Sequence, residues 1–201
     1  MGLEETIRRG LSSLSINAAE SLAEPLAAYL SLIVRWNRVT NLTAITEEHE
    51  MVTRHLLDSL VIAPHIRGDQ ILDVGSGAGL PGIPLALLFP DRYFTLLDSN
   101  GKKTRFLTQA KIDLGLNNVN VEQYRVEDYE GSYDCIVARA FRSTEAFIES
   151  TAHLLSDGGS LLAMKGPSEI PAPAVAGFKQ TVHTLDVPGL DADRFLIEIV
   201  R

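Results

Sequence analysis

From residue 69 onward the chain alternates apolar runs of three or four residues with helical stretches, and that rhythm admits few folds. The runs lie at residues 71–74, 94–97, 119–121, 135–138 and 161–164, with helical patterns near 81–89, 102–114 and 143–155 between them. Strands this uniformly apolar have no face suited to water, so helices must cover both sides of a mostly parallel sheet. Two more strand-like runs, 181–185 and 195–199, follow too closely for a helix between them. They are predicted to close the sheet as an antiparallel hairpin. The expected fold is therefore α/β and Rossmann-like: a seven-stranded sheet, mostly parallel, with a terminal antiparallel strand.

Before residue 67 the grammar is helical. Leu3, Ile7, Leu11 and Leu14 recur at three- and four-residue spacing, and Leu22, Leu26, Tyr29, Leu30, Ile33 and Trp36 form a longer stripe. Thr46 with Glu47 and Glu48 reads as the start of a third helix carrying Met51, His55, Leu56 and Leu60. The predicted division is a helical extension, residues 1–66, packed on an α/β domain, residues 67–201.

The formal net charge of −8 argues against nucleic-acid binding by bulk electrostatics, but it leaves room for a local basic patch. A single cysteine, Cys135, excludes an intrachain disulfide. No apolar run approaches the roughly 20 residues of a membrane span, and MGLEETIRRG lacks the apolar centre of a signal peptide. Met1-Gly2 with Thr6 matches only the bare myristoylation pattern. A cytoplasmic protein is expected, and nothing demands a dimer.

Sheets of this kind bind ligands beyond the carboxyl ends of their strands, at the point where the strand order reverses. The residues there are 73–79, Asp98-Ser99, 125–127, 139–141 and Lys165-Gly166. The first of these segments lies in ILDVGSGAGLPGIP, residues 71–84, which fits two nucleotide loops. Gly77-x-Gly79-x-x-Gly82 matches the dinucleotide fingerprint. Asp73-x-Gly75-x-Gly77-x-Gly79 matches the loop of S-adenosylmethionine-dependent methyltransferases. Asp73 separates them. A carboxylate here repels the pyrophosphate of a dinucleotide but attracts the sulfonium and ammonium of S-adenosylmethionine. Asp98 can accept hydrogen bonds from ribose hydroxyls in either cofactor, and Glu127 can accept from an adenine amino group. The cofactor expected is S-adenosylmethionine, and the fold its class I methyltransferase variant.

The acceptor atom decides what further groups are needed. Methylation of a pyrimidine carbon usually calls for a cysteine nucleophile, yet Cys135 falls inside a predicted buried strand. Amino methylation of a base typically shows an Asn- or Asp-Pro-Pro-aromatic turn where this chain has Arg139-Ala140-Phe141. The five histidines have no metal-ligand spacing, so no metal is expected. A ring nitrogen with an open lone pair needs neither nucleophile nor base. Arg139 can hold a guanine edge or a phosphate, and Phe141 can stack on a base or simply pack helix to sheet. Lys102, Lys103 and Arg105, with no acid among them, stand near the first turn of a helix beside the cofactor mouth. They form either a phosphate track, which Lys165 would extend, or a solvated face.

Several blocks together carry a resemblance. Trp36-Asn37 with Asn41-Leu42-Thr43-Ala44-Ile45, Arg54-His55-Leu56-Leu57-Asp58-Ser59-Leu60 and the loop from Leu72 to Pro84 are similar to the bacterial RsmG methyltransferases, formerly glucose-inhibited division protein B. So are Leu96-Leu97-Asp98-Ser99 with Lys102-Lys103-x-Arg105-Phe106-Leu107, Arg139-Ala140-Phe141 and Met164-Lys165-Gly166. The resemblance implies methylation of N7 of a guanine in 16S ribosomal RNA, the nucleotide conventionally numbered 527, with the RNA or the small ribosomal subunit as partner. It implies cofactor contacts at Gly75, Leu80, Val126, Glu127 and Arg139. Ala138, where many members have Ser, and Arg142-Ser143-Thr144, where Ala-Ser-Leu is common, depart from the pattern. Residues 41–45 and 54–58 would cover one side of the site. Their local readings are Asn41 or Thr46 as helix caps, Arg54 with Asp58 as an i,i+4 pair, and Trp36 as a core anchor. Other activities with the same core are a small-molecule methyltransferase and, from the loop alone, a nicotinamide-dependent oxidoreductase. A ribosome-binding module without activity is the non-enzymatic reading.

Overall fold

The computed structural model describes residues 2–16, 19–139, 141, 143–166 and 175–201. Seven strands form one sheet in the order β3-β2-β1-β4-β5-β7-β6. They are β1 Gln70–Val74, β2 Tyr93–Leu97, β3 Val119–Glu122, β4 Tyr133–Arg139, β5 Leu155–Lys165, β6 Lys179–Leu185 and β7 Arg194–Val200. Neighbours among β1 to β5 are parallel, whereas β7 runs antiparallel to both β5 and β6. The expected closing hairpin is therefore present, with β7 inserted between β5 and β6. β5 starts six residues before the apolar run that announced it, because its first half carries polar and glycine residues.

Alternate residues of the central strands feed two separate cores, as the pleat requires. Ile71, Cys135, Val137, Leu162 and Leu196 join one cluster; Leu72, Ile136, Leu161, Ala163 and Ile197 join the other. The first core is the larger, because the extension is part of it. Helices α1 (Leu3–Ser13) and α2 (Ala19–Thr40) bury Ile7, Leu11, Leu26, Leu30 and Ile33 in one cluster with residues of α5 (Gly82–Leu88) and α6 (Gly101–Asp113). Trp36 meets Phe106 of α6 edge to face, at 5.8 Å between ring centroids. Tyr29 is fully buried and donates its hydroxyl to the Ala78 carbonyl inside the glycine-rich turn, at 2.5 Å. On the other face α7 (Thr144–Thr151) supplies Phe147 and Ile148.

The third helix departs from its expected form. It starts at Glu48, with Glu47 at the cap position and no side-chain cap, so Thr46 does not cap it. After α3 (Glu48–Met51) the backbone widens into a π-helical stretch, Val52–Leu57, and tightens again in α4 (Asp58–Leu60). Residues 55–60 are all buried. A helix buried all round cannot obey a single-face periodicity, and a widened turn redirects side chains that a regular helix would point elsewhere. Asn41 adopts positive φ, 50°, just past the end of α2, which makes it a C-terminal rather than an N-terminal cap residue.

Candidate active site

Strand order reverses between β1 and β4, and the carboxyl ends of the strands around that point hold an unusual concentration of buried charge. The buried acidic, basic or imidazole side chains among the described residues are His55, Asp58, Asp73, Asp98 and Lys165. Each belongs to a strand end or to the helix that passes over it. Such groups are rarely buried unless paired, and they persist where function requires them.

Two cavities open here. The smaller, about 200 Å³, is lined by Gly75, Asp98, Tyr124, Val126, Glu127 and Phe141 among others. Gly75 brings to it the start of the glycine-rich turn, in which Gly75, Gly77 and Gly79 all take positive φ, at 70°, 61° and 86°. That conformation aims the Gly77 amide at Asp98, whose Oδ2 accepts it at 2.9 Å while Oδ1 accepts the Asn100 amide at 2.8 Å. Carboxylate oxygens carry further lone pairs, so Asp98 keeps capacity for ribose hydroxyls. Glu127 stands on a 3₁₀ turn, Val126–Asp128, after β3.

Asp73 is placed differently from its expected role. It lines neither cavity; it is 1% exposed, with Oδ2 accepting the Gly82 amide at 3.0 Å. Its Oδ1 is buried without a partner. Burial, ahead of all other influences, pushes its pKa up to about 7. Asp73 thus braces the turn against the start of α5. Leu80 is likewise buried behind the loop. An acid-rimmed cavity bordered by a glycine-rich turn, with an orphaned buried carboxylate oxygen beneath that turn, suits a cofactor carrying ribose hydroxyls and cationic groups.

The larger cavity, about 490 Å³, lies beyond Arg139 and is lined by Arg54, His55, Asp58, Arg139, Lys165 and Arg194, with Ile45, Met164 and Phe195 among its apolar walls. Asp58 organises it. Its Oδ1 accepts Arg194 Nε at 2.9 Å, and its Oδ2 lies 3.5 Å from Arg139 Nη1. Arg139 also donates to the Arg54 carbonyl at 3.2 Å. Arg54 pairs with Glu50 at 2.9 Å, not with Asp58, which corrects the i,i+4 expectation. Lys165 does not extend a surface track: it is 4% exposed and donates to the Phe141 carbonyl at 2.6 Å. Among the described residues, one carboxylate faces four cations, which leaves this lining positive although the chain as a whole is negative. His55 adds no charge. Burial first, then Arg139, lowers its pKa to about 4, and its Nε2 lies 2.9 Å from Thr43 Oγ1.

Phe141 packs on Phe147 of α7 at 5.2 Å between ring centroids, as the packing reading expected, and also lines the smaller cavity. Ala140 and Arg142 lie outside the described residues. On α6, Lys102 and Arg105 are exposed, and Arg105 Nε donates to the Gly101 carbonyl. Lys103 separates from them: its Nζ leans to 3.8 Å from Asp98 Oδ2, at the cofactor side. Cys135 is wholly buried, and burial pushes its thiol up to about 11, leaving no thiolate nucleophile. Residues 54–58 were expected to cover one side of the site, and Arg54, His55 and Asp58 line the larger cavity, whereas Arg194 carried no signal in the sequence.

Two solved structures share the architecture. An S-adenosylmethionine-dependent methyltransferase named SibL, in its apo form, aligns with TM-score 0.62 at 15% identity, over 99% of this chain and 74% of that one. A SAM-dependent methyltransferase from Aquifex aeolicus aligns with TM-score 0.57 at 15% identity, over 73% of this chain and 91% of that one. At such identities the likeness is one of fold, the class I methyltransferase fold. Sequence relatives are much nearer. A Ribosomal RNA small subunit methyltransferase G from Coxiella burnetii is 45% identical over 98% of both chains. One from Ectopseudomonas mendocina is 48% identical over 98% of this chain and 95% of its own. The family model described as GidB, rRNA small subunit methyltransferase G, matches residues 22–190, spanning both cavities except for Arg194 and Phe195. The chain belongs to the rRNA small subunit methyltransferase G family.

Proposed function

We propose that the protein methylates N7 of a guanine in 16S ribosomal RNA, at the nucleotide conventionally numbered 527, in the cytoplasm and as a monomer. Family membership carries the coarser part: the chain is a methyltransferase of small-subunit ribosomal RNA, and its cofactor is S-adenosylmethionine. The nicotinamide reading of the glycine loop is set aside with it. The finer part rests on one observation, the positive cavity of about 490 Å³ lined by Arg139, which among the described residues holds no thiol or hydroxyl nucleophile and whose imidazole is held neutral.

In this reading Asp98 and Glu127 hold the ribose and adenine ends of the cofactor, the Gly75 turn lets the backbone come close, and Asp73 stiffens that turn from below. The bound cofactor supplies an electrophilic methyl group, which the N7 lone pair accepts in line with the breaking carbon–sulfur bond. Guanine N7 has no proton to lose, so the protein contributes alignment rather than proton transfer. Arg139, Lys165 and Arg194 suit the O6 edge or the flanking phosphates, and Phe141 offers a ring between the two cavities. Lys102 and Arg105 remain proposed partners for more distant phosphates, whereas Lys103 serves the cofactor side.

The test is transfer of labelled methyl from S-adenosylmethionine to small subunits that lack the modification. The product strand is then treated with borohydride and aniline. Cleavage at nucleotide 527 is expected, because N7-methylguanine loses its base under that treatment. Labelled product that resists cleavage would exclude N7, and cleavage elsewhere would exclude the position.

A further inference from the structure

Away from both cavities, the fold brings together three ligand-type side chains that no sequence motif links. His65 ends the 3₁₀ turn Ala63–His65, where the helical extension hands over to the α/β domain. His183 lies on β6 and Glu198 on β7. In the β6–β7 register His183 faces Leu196 and Thr181 faces Glu198, so His183 and Glu198 are diagonal neighbours on one face of the hairpin. Leu196 places that face in the core shared with the extension, which is why His65 can reach it. The rings of His65 and His183 are 4.4 Å apart, and His183 Nε2 sits 2.8 Å from Glu198 Oε2.

We propose that His65, His183 and Glu198 form a binding site for a divalent cation of the zinc type. One donor atom from each residue lies within 4.8 Å of the other two. Zinc bonds of about 2.0–2.2 Å to nitrogen and oxygen put tetrahedral ligands about 3.4 Å apart. The widest pair must then close by at most about 1.4 Å, and the His183–Glu198 pair must open by about 0.6 Å. All three side chains are half-buried, so small χ rotations can supply those shifts. Glu198 also borders an open recess with Arg67, Gly68 and Asp134, a route by which an ion and a fourth, water ligand could enter. Two imidazoles and one carboxylate favour a borderline cation such as zinc over magnesium or calcium, which prefer all-oxygen sets.

The consequence is mechanical. The cation would tie the exit of the extension to the outer hairpin, and those same two elements face each other across the larger cavity. Arg54, His55 and Asp58 come from one side, Leu185, Arg194 and Phe195 from the other. Zinc is therefore expected to stabilise the apo protein and to narrow fluctuations of that cavity without entering it.

The experiment uses the full chain without a polyhistidine tag, titrated with zinc chloride by calorimetry, and with cobalt chloride by visible absorption. One equivalent should bind in the micromolar range, with the intense visible bands of four-coordinate cobalt and a rise in Tm. Glu198→Gln preserves shape and hydrogen bonding, and His65→Ala leaves the His183–Glu198 pair intact; each should weaken binding by roughly tenfold or more while the apo Tm changes little. Absence of binding at micromolar zinc, or binding that survives both substitutions, would overturn the site and leave His183–Glu198 as a hydrogen-bonded pair alone. No RNA or S-adenosylmethionine enters these measurements, so their outcome is independent of the methyl acceptor.

Discussion

The cavity beside the glycine-rich turn and the cavity beyond Arg139 meet around one strand end, yet the chain assembles them in different ways. Most of the first comes from short segments that follow β1, β2 and β3, each delivering its residue directly from a strand end. The second draws Arg54 and Asp58 from the extension, Arg139 from β4, Lys165 from β5 and Arg194 from the start of β7. Its positive lining is held in register by a single carboxylate, Asp58, which reaches 81 residues forward to Arg139 and 136 to Arg194. A cavity made by local turns tolerates the loss of one member. One made by long-range charge pairing depends on its hub.

The strongest way to break this contrast is Asp58→Ala. Removing one partner of a mostly buried ion-paired group strands the others, so a stability loss of about 2–4 kcal/mol in urea denaturation is expected, together with collapse of methyl transfer. A near-neutral effect on both would show that the second cavity needs no hub. Next in size, Asp98→Ala should weaken S-adenosylmethionine binding by about 1.5–3 kcal/mol by calorimetry, the range for a lost charged hydrogen bond, with little change in RNA affinity. Unchanged cofactor affinity would remove Asp98 from the first cavity.

A smaller effect sharpens the boundary between the two regions. Lys102→Ala with Arg105→Ala should reduce the slope of log RNA affinity against log salt by about 0.7 for each phosphate no longer neutralised, leaving cofactor affinity unchanged. Lys103→Ala should do the reverse, because its ammonium leans on Asp98. An unaltered salt slope would return Lys102 and Arg105 to the solvated face of α6.

In the native protein the smallest expected signal is the net pH dependence of stability, where two buried groups, Asp73 under the glycine-rich turn and His55 in the larger cavity, oppose each other. Asp73 has a folded pKa near 7, raised by burial above the ordinary 3.8, so the folded state binds the extra proton and stability falls as pH rises from about 4 to 7. His55 has a folded pKa near 4, lowered by burial from 6.5, so the unfolded state binds the extra proton and stability rises over about pH 4 to 6.5. The two contributions largely offset in the native protein. Asp73→Asn should therefore leave a clear rise in stability between pH 4 and 6.5, and His55→Gln a clear fall. Parallel curves for the two variants would contradict these assignments.

The same contrast explains what could be read in the sequence. Strands β1 to β4, the glycine turn, Asp98 and Glu127 were legible because each depends on a few adjacent residues and on the rule that ligands lie beyond strand ends. The sequence placed Asp73 at the end of β1 but could not show that it is buried there and accepts a backbone amide nine residues on. Lys165 read as a surface cation because its chain neighbours give no hint that β7 will cover it. Arg194 was invisible: its partner lies across the whole domain, and no local periodicity encodes that. The widened helix at Val52–Leu57 was hidden for a related reason, because the spacing of Val52, Leu56 and Leu57 does not distinguish a π turn from an α turn.

The hydrogen bond from Tyr29 to the Ala78 carbonyl bears on how such a protein can change over generations. It fastens the extension to the turn that borders the smaller cavity, and Asp58 fastens the same extension to the wall of the other. The helices before residue 67 are thus no interchangeable attachment. A chimaera that took them from a distant relative would bring a foreign grip on both cavities at once. Inheritance of this enzyme should proceed by matched drift of extension and sheet rather than by shuffling of parts.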